Sequence, residues 1–484
     1  MSDLASRLDQ FTNRHVLCIG DVMLDRYVYG QVQRISPEAP IPVLHTQRET
    51  ATLGGAGNVA RNIASLGGKV GVIGVIGKDQ TGKDVEAILK ALPNIASHLL
   101  ADVARPTTLK TRYIADNQQL LRADYEDISS LSPDSEQKIL ALIAAVIKNV
   151  DVIILSDYAK GVLTDKVIAE TIKMAKQTGK IIIVDPKGRD FGRYSGASYL
   201  TPNRKELSEA VGHEVTNAET ANAAAQVLMR DFNIDHILVK LGADGVCLTR
   251  KGQPPLHLHT KAREVFDVSG AGDTVAATLA LALASGFDAA EAAELANTAG
   301  SIVVGKVGTA STTRDEITRE LHQKDTDARE DKLANFASIA DIAETWRRQG
   351  LKVGFTNGCF DLLHPGHISL LRQAKQACDK LVVGLNSDAS VKRLKGETRP
   401  VQNEAARSAV LASLSDVDQV VIFGEDTPYD LIKTVRPDIL VKGADYTVDK
   451  VIGADLVQGW GGKVILAQLV QGQSTTGTIE RMKK

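Results

Sequence analysis

The chain has 484 residues, of which 43% are hydrophobic and only 4% aromatic, and its formal net charge is -2. This length exceeds a single hydrophobic core, so we expect two or three domains. The near-neutral charge gives no electrostatic reason to expect a nucleic acid or a membrane surface as partner. No apolar stretch has the length of a membrane span or the form of a secretory signal, so we expect a soluble, unprocessed protein.

Short apolar strands alternate with helical patterns from residue 15 to about residue 310. The segment Ser135–Lys148 has helical periodicity, and Thr274–Ser285 is an apolar run too short for a membrane span, which predicts a buried helix. Such alternation is typical of an α/β domain with a mostly parallel sheet covered by helices. The predicted strands are Val16–Gly20, Val70–Ile76, Val152–Leu155, Ile181–Val184 and Ile237–Val239.

Two stretches interrupt this alternation. Tyr27–Thr46 and Arg105–Tyr125 are polar, rich in β-forming residues and without long helical runs. They predict a small accessory sheet that closes over a site or pairs between subunits.

A charged segment divides the chain. Residues 314–332 carry both charge signs densely and few large apolar groups, which predicts a solvated linker. We therefore expect domains at residues 1–313 and 338–484, joined by residues 314–337. After a helix at Ser338–Gln349, a second alternation begins, with strands predicted at Val353–Phe355, Leu381–Leu385, Val420–Phe423, Ile439–Lys442 and Val464–Ala467.

The segment Asp267–Thr274 (DVSGAGDT) precedes the predicted buried helix. Gly270, Ala271 and Gly272 leave the backbone free to turn its N–H groups toward a phosphoryl group, and the helix dipole favours the same anion. Asp273 is placed to take a proton from a sugar hydroxyl as that oxygen attacks phosphorus. An equally simple interpretation makes Asp273 a helix N-terminal charge and the glycines a turn.

A second glycine-rich turn, Leu53–Gly68, also enters a helix. Together the two segments resemble the two signatures of the ribokinase-like (PfkB) carbohydrate kinases, and the resemblance covers roughly residues 12–312. It implies a three-layer α/β/α kinase domain with a small β lid, in which Asp273 is the catalytic base and Gly270–Gly272 form the anion hole. The residues implied to bind nucleotide and Mg²⁺ are Asn203, Arg204, Lys205, Glu206, Lys240, Gly242 and Asn297, and those implied to hold sugar hydroxyls are Asp21, Asp25, Gly54, Gly55 and Asn58.

The accessory stretch carries three cations, Lys110, Arg112 and Arg122. Because the arginine fork suits phosphate oxygens, these cations can clamp a phosphate already on the sugar. The alternative is a solvated face of the sheet.

The run Val353–His367 ends a strand, turns and opens a helix around two histidines. Backbone N–H groups and a helix N-terminus suit triphosphate oxygens, and two imidazoles can donate to a phosphorus centre as charge develops there. Its residues Gly358, Phe360, Asp361, His364, Gly366 and His367 resemble the signature of the cytidylyltransferase-like nucleotidyltransferases. That likeness implies a Rossmann-like α/β domain with both histidines catalytic and Phe360 at the nucleotide.

Further groups in the second domain can neutralise the departing pyrophosphate: Lys392–Lys395, Arg399, Arg407 and Lys442, with hydroxyl and backbone donors from Ser474, Thr475 and Thr476. Each of these cations is as readily a solvated surface residue. The family's loop has an isoleucine where Gln473 stands, and an arginine upstream where this chain has Leu469 and Val470, so the contacts of this loop stay open.

A kinase followed by a nucleotidyltransferase in this order resembles the bifunctional kinase–adenylyltransferases of bacterial ADP-heptose synthesis. The resemblance implies ATP and Mg²⁺ as cofactors, phosphorylation of heptose 7-phosphate at the anomeric hydroxyl, adenylyl transfer to heptose 1-phosphate, and a separate phosphatase between the two steps. It also implies a homodimer through the lid. The residues alone leave open another sugar or polyol phosphate, a cytidylyl donor, or a nucleotide-binding scaffold without turnover. Four scattered cysteines without a C-x-x-C pair indicate reduced thiols and a cytoplasmic protein.

Overall fold

The computed structural model describes residues 3–116, 118–260, 267–306, 308–330, 332–444 and 446–468. The chain divides into two compact units, residues 1–322 and 323–484. Within the described part of the chain, no helix is both long and apolar enough to cross a membrane.

The first unit is an α/β fold. Its helices are α1 (Asp3–Arg7), α2 (Ala56–Ser65), α3 (Gln80–Ala91), α4 (Pro133–Val146), α5 (Asp165–Gln177), α6 (Arg204–Val211), α7 (Ala218–Phe232), α8 (Ala271–Ala284), α9 (Ala289–Val304) and α10 (Arg314–Glu330). Its strands are β1 (His15–Gly20), β2 (Val22–Ile35), β3 (Pro42–Gly55), β4 (Lys69–Gly77), β5 (Ile95–Asp102), β6 (Thr108–Ala115), β7 (Gln118–Tyr125), β8 (Val152–Ser156), β9 (Ile181–Asp185), β10 (Tyr199–Leu200), β11 (His236–Lys240), β12 (Val246–Arg250) and β13 (Leu256–Leu258).

The main sheet of this unit runs in the order β13-β12-β11-β10-β9-β8-β1-β4-β5. Neighbouring strands are parallel from β11 to β5, whereas β12 and β13 pair antiparallel at one edge. Alternate residues of β1 enter two separate cores, Val16 and Cys18 on one face, Leu17 and Ile19 on the other. Helices therefore cover both faces of the sheet, as the near-continuous apolar runs of its strands predict.

The predicted accessory sheet is present. Strands β3, β2, β6 and β7 form it in that order, with β2 and β6 parallel and the outer pairs antiparallel. Strand β2 follows β1 after a single residue, so the accessory sheet begins at the carboxyl end of the main sheet. In open parallel sheets that end holds the ligand.

The second unit is a smaller α/β fold. All of its paired strands are parallel, in the order β14-β17-β16-β15-β18-β19. Alternate residues of β16 again enter two cores, Val382 on one face and Leu381, Val383 and Leu385 on the other. Its elements are β14 (Leu333–Ala334), α11 (Phe336–Arg348), β15 (Val353–Gly358), α12 (Pro365–Gln376), β16 (Lys380–Asn386), α13 (Asp388–Lys395), α14 (Glu404–Ala412), β17 (Gln419–Phe423), α15 (Tyr429–Val435), β18 (Ile439–Gly443), α16 (Ala454–Gly459) and β19 (Lys463–Ala467).

The predicted linker needs one correction, although the domain limits themselves stay a prediction. Its first part is helix α10, in which Ile317 and Leu321 are buried in the core of the first unit. A helix needs only one apolar stripe to dock, and a dense charge pattern on its other faces hides that stripe in a composition count. The segment is therefore not solvated throughout.

Candidate active sites

Helix α8 presents its N-terminus at the carboxyl end of the main sheet. Gly270 caps it with a φ of 81°, a left-handed conformation that favours glycine. A Cβ at this position would lie 2.8 Å from the Asn58 side-chain nitrogen, so the close approach of helix α2 also requires glycine here. The first backbone N–H groups of a helix have no partner within it and can bind an anion, although that of Ala271 donates to the Val268 backbone oxygen at 3.3 Å.

Asp273 lies in the first turn of α8 and is 3% exposed. Its Oδ2 accepts a hydrogen bond from Asn58 Nδ2 at 2.6 Å, and its Oδ1 accepts one from the Tyr158 hydroxyl at 2.7 Å. Burial raises the pKa of Asp273 to about 6, and the two donors act against that rise. A carboxylate with a pKa just below neutrality, beside an anion site, suits a general base.

A buried ion pair faces the same helix. Lys240, at the end of β11, donates to Asp185 Oδ1 at 2.6 Å, and Asp185 ends β9. The Lys240 ammonium lies 3.1 Å from the position that a Cβ on Gly272 would take. Burial alone would lower the pKa of Lys240, but the charge of Asp185 raises it. A permanent cation therefore stands beside the anion site.

A cavity of about 300 Å³ adjoins this cation. Three residues predicted to bind nucleotide line it together, Lys240, Gly242 and Asn297, with apolar Val246 and Val304 opposite. The Asn297 amide donates to the backbone at residues 258 and 259, which fixes its orientation. An apolar cavity with a few fixed polar groups suits a planar base.

Four residues of the segment 201–206 (TPNRKE) were predicted to bind nucleotide and Mg²⁺, and their side chains make different kinds of contact. Asn203 and Glu206 form a capping box at the start of α6, and Glu206 also accepts a bond from Lys187 at 2.9 Å. Arg204 bonds the backbone oxygen of Leu241 and so holds the loop after β11. The Lys205 side chain is 86% exposed and lies 3.9 Å from Glu209 on the same helix, so its predicted part in nucleotide binding stays a prediction.

The residues predicted to hold the sugar lie close together. Some of their polar groups, however, already bind other residues of the protein. The Asp25 carboxylate is buried and paired with Arg112 at 2.6 Å. Gly54 lies against it, since a Cβ there would be 2.5 Å from Asp25 Oδ2. Gly55 precedes α2 with a φ of 57°, close to the Asp21 backbone oxygen.

Asp21 makes protein contacts that the sequence did not predict. Its carboxylate is 2% exposed and accepts backbone N–H bonds from Tyr158, Lys160 and Val162 at 2.9, 3.1 and 3.1 Å. Burial raises the pKa of Asp21 although these donors lower it. The side chain therefore organises the loop after β8, and its predicted contact with sugar stays a prediction.

The predicted phosphate clamp is also partly committed to protein contacts. Arg122 is 49% exposed and pairs with Asp124 on its own strand. The Lys110 ammonium lies 3.6 Å from the Asp124 carboxylate and 3.9 Å from that of Glu126. Arg112 is paired with Asp25. Each of the three cations already faces a carboxylate, which weakens the case for a preformed anion site here.

In the second unit, β15 leads into a loop and then α12, with His364 as the helix N-cap residue. The rings of His364 and His367 stack with centroids 3.8 Å apart. Within the described residues, the buried Nδ1 atoms of both histidines and Asn357 Oδ1 have no hydrogen-bond partner. Buried polar atoms without a protein partner can bind a ligand or a water molecule.

Both imidazoles are held neutral. Burial lowers the pKa of His364, and burial, the neighbouring His364 and the charge of Lys395 lower the pKa of His367 to about 4. Near neutral pH each ring carries one N–H and no charge. The pair can therefore donate hydrogen bonds without acting as a fixed counter-ion.

Two predicted cations of this unit make contacts with the protein. Arg407 is fully buried and bonds the backbone oxygens of Cys359 and Asn386 and the Asp388 carboxylate, so its assignment to the triphosphate is wrong. Arg399 pairs with the buried Asp361. Both guanidiniums therefore bind the loop between β15 and α12, Arg407 at Cys359 and Arg399 at Asp361.

Two other predicted residues lie at the loop. Phe360 is buried with a φ of 43°, and its ring packs 5.1 Å from that of His367, so it supports the histidine rather than facing solvent. Lys442, at the end of β18, donates to the Asn357 backbone oxygen at 3.0 Å. The predicted donors Ser474, Thr475 and Thr476 lie outside the described residues.

Sequence reasoning missed three residues at the first site: Tyr158, Asp185 and Arg61. Arg61 bonds Asn58 at 2.7 Å and also contacts Thr52 and the Thr309 backbone oxygen. Tyr158 lies two residues after the end of β8, and Asp185 is the last residue of β9. A polar residue that ends a buried parallel strand was the available signal.

Residues 13–316 match the pfkB family of carbohydrate kinases, and residues 355–475 match the cytidylyltransferase-like family. Two relatives named bifunctional protein HldE align along the full chain: one from Paramagnetospirillum magneticum at 55% identity, covering 100% of this chain and 99% of the relative, and one from Caulobacter vibrioides at 54%, covering 100% of each. The chain belongs to the HldE family. It is therefore a bifunctional enzyme, a kinase joined to a nucleotidyltransferase, and the predicted function in ADP-heptose synthesis is confirmed.

Solved structures agree on the fold of the first unit. Phosphofructokinase-2 from Escherichia coli aligns with a TM-score of 0.54 at 20% identity, covering 64% of this chain and 98% of its own. A ribokinase from Arabidopsis thaliana aligns with a TM-score of 0.50 at 23% identity and the same coverage. At this identity the likeness shows the ribokinase-like fold alone.

Proposed function

We propose that the first unit phosphorylates the anomeric hydroxyl of heptose 7-phosphate with Asp273 as its general base. The observation that carries this proposal is the buried Asp273 carboxylate in the first turn of α8, with a donor on each oxygen. As the sugar oxygen bonds to the γ-phosphorus of ATP, its proton passes to Asp273. The bond from that phosphorus to the bridging oxygen breaks, and ADP leaves.

The charge of this step is met by groups already in place. The N–H groups at the start of α8 and the Lys240 ammonium face the transferred phosphoryl group. Donors fixed before the reaction need no reorganisation as charge develops. The cavity beside Lys240 holds the adenine of ATP between its apolar wall and Asn297.

We propose that the second unit joins ATP to heptose 1-phosphate. A phosphate oxygen of the sugar attacks the α-phosphorus, and the bond to pyrophosphate breaks. The attacking phosphate is already ionised, so the step needs hydrogen-bond donors rather than a base. Two neutral imidazoles whose Nδ1 atoms have no partner within the described residues support this assignment of His364 and His367.

Mg²⁺ is proposed as the metal that accompanies ATP. No group of three or more His, Cys, Asp or Glu side chains in the described ranges is arranged to hold a metal ion. This fits Mg²⁺, which keeps several waters and is bound mainly through nucleotide phosphates. Glu206 and Asp185, at the same edge of the sheet, would accept hydrogen bonds from those waters. Bound to the phosphates, Mg²⁺ would neutralise part of their charge.

The assembly and the pathway are further parts of this proposal. The accessory sheet exposes apolar side chains on β7, with Leu121 58% and Tyr125 65% exposed, which supports a homodimer through this sheet. The free cysteines fit a cytoplasmic enzyme. The kinase product carries two phosphates and the transferase substrate carries one, so a separate phosphatase acts between the two steps.

The test is a stepwise reaction with purified full-length protein. Given ATP, Mg²⁺ and heptose 7-phosphate, the protein should accumulate the 1,7-bisphosphate. Mass spectrometry detects this product. Pyrophosphate should appear only after a phosphatase that removes the 7-phosphate is added. Abundant ADP-heptose without that phosphatase would contradict the proposed substrates.

A further inference from the structure

The residue that holds the base in the first unit comes from a strand distant in sequence. Tyr158 follows β8, and its hydroxyl donates to Asp273 Oδ1 at 2.7 Å across 115 positions of sequence. Asn58 of helix α2 donates to the other oxygen at 2.6 Å. Each carboxylate oxygen thus keeps one lone pair for a further partner, and the plane of the carboxylate is fixed from two sides.

The loop that carries Tyr158 is itself held rigidly. Asp21 accepts the backbone N–H groups of Tyr158, Lys160 and Val162. Ala159, between them, has a φ of 53° and donates its N–H to Asp157 Oδ1 at 2.8 Å. These four bonds fix the backbone of the loop. The Tyr158 side chain is therefore held where its hydroxyl can bond Asp273.

Two opposing effects act on the Asp273 carboxylate. Burial and the nearby negative charge of Asp185 favour its protonated form, which cannot accept a proton. The bonds from Tyr158 and Asn58 and the positive charge of Lys240 favour the ionised form. Among the described residues, Cys18 and Arg61 also interact with it electrostatically.

Tyr158 can serve only as a donor here. Burial, and then the charges of Asp273 and Asp185, raise its pKa well above the usual value of a tyrosine. The hydroxyl therefore stays protonated at every pH at which the enzyme works. It does not exchange roles with the base.

We propose that Tyr158 is a positioning residue of the kinase reaction, whose hydroxyl keeps the Asp273 carboxylate ionised and aimed at the sugar hydroxyl. The inference rests on the proposed function of Asp273 as the base. Since Tyr158 acts through Asp273, its removal changes the pH dependence of the kinase and leaves the transferase untouched.

The test is Tyr158→Phe in the full-length chain, with kinase kcat/KM measured from about pH 5 to pH 9. Loss of one hydrogen bond to the charged Asp273 should raise its pKa. The acidic limb of the profile, the pH range below neutrality in which kcat/KM falls, should therefore move upward by about one to two pH units. We expect a severalfold loss of rate at pH 7, most of which returns at pH 9. The transferase activity of the same preparation should be unchanged.

Tyr194→Phe is the matched control. Tyr194 is also buried in the first unit and donates to a buried carboxylate, Asp157 Oδ2, at 2.7 Å, but it has no contact with Asp273. Its loss should lower the melting temperature without moving the acidic limb. If Tyr158→Phe behaves in the same way, Tyr158 is structural and the proposal is overturned.

A second variant covers the case in which Tyr158→Phe fails to fold. A ring-fluorinated tyrosine at position 158 is a stronger donor of the same shape, so the acidic limb should move to lower pH; no movement would overturn the proposal. Asp273→Asn separates the two levels of inference. If Asp273→Asn is inactive while neither change at 158 moves the limb, only the role of Tyr158 falls, whereas an active Asp273→Asn removes the base itself.

Discussion

The two sites of this chain lie at equivalent places in two α/β folds but differ in the charge of their central side chains. Both lie at the carboxyl ends of parallel strands, beside the N-terminus of a helix, α8 in the first unit and α12 in the second. The first buries a carboxylate and surrounds it with donors, whereas the second stacks two neutral imidazoles whose buried Nδ1 atoms have no partner within the described residues. The difference follows the nucleophile, because a hydroxyl must lose a proton during attack and an ionised phosphate need not.

The strongest test of this contrast is Asp273→Asn, which keeps the side-chain size and removes the base. We expect kinase turnover to fall by about 10²–10⁴ with ATP binding largely retained. Turnover is measured by ADP release and binding by titration calorimetry. Transferase activity in the same sample is the control, and a kinase rate near that of the unchanged protein would remove Asp273 from its role.

The complementary change is in the second unit. Replacing His364 or His367 with Ala should cost about 3 kcal/mol of transition-state stabilisation, which is about a hundredfold in rate, because each supplies a donor to developing charge. Pyrophosphate release reports the transferase, and ADP release from the kinase should be unaffected. Undiminished pyrophosphate release would make the imidazoles structural.

The pH profiles of the two activities should differ in a defined direction. Asp273, with a pKa raised to about 6, is protonated as the pH falls through that value, so kinase kcat/KM should drop about tenfold per unit below it. His367, with a pKa lowered to about 4, stays neutral over that range, so it causes no such loss in the transferase. Both rates are measured on one preparation from about pH 5 to pH 8. Parallel declines would contradict the contrast.

The boundary between the units has a smaller expected effect. A fragment ending at residue 313 lacks Ile317 and Leu321, both buried in the first core, whereas one ending at residue 322 keeps them. Burial of each side chain is worth about 1.5–3 kcal/mol, so the shorter fragment should melt at a clearly lower temperature. Equal melting temperatures would show that α10 contributes nothing to the first unit.

The smallest effect is expected at Arg122. Because its side chain is half exposed and pairs with Asp124 on the same strand, Arg122→Ala should leave the KM for the sugar phosphate within about twofold. Its cross-strand neighbour Arg112 is the contrast, since Arg112→Ala leaves the buried Asp25 without its partner and should raise that KM at least about tenfold. A large effect at Arg122 would restore the predicted clamp.

The sequence predicted those parts of the sites that are local. The glycines before α8, Asp273 and the two histidines each lie within a few residues of a helix start, and capping and anion-binding rules act over that distance. The ten predicted strands agree with the structure to within three residues at each end because buried parallel strands are continuous apolar runs. Strands β5, β12 and β14 were not predicted. The short strands β10 and β13 carried no comparable signal.

Errors arose where a charge has a partner distant in sequence. Arg407 and Arg112 are cations in plausible places, but the backbone oxygens that bind the first and the carboxylate that binds the second become neighbours only in the folded chain. The bonds of Asp21 to the loop after β8 were missed for the same reason, whereas its expected contact with sugar stays a prediction. A sequence gives the charge of a side chain without its burial, and burial decides whether that charge meets a ligand or the protein.

The sequence by itself determined the α/β organisation and the order of kinase and transferase, and it identified Asp273 and the two histidines as candidate reacting groups, because periodicity and helix-start motifs are local properties of the chain. Only the tertiary structure decided which side chains tune those groups. Tyr158, Asn58, Asp185 and Lys240 come from four separate segments, and the parallel sheet brings their ends to one edge around Asp273. The pKa of the base follows from that assembly, since desolvation and hydrogen bonding exist only once the surrounding elements have packed.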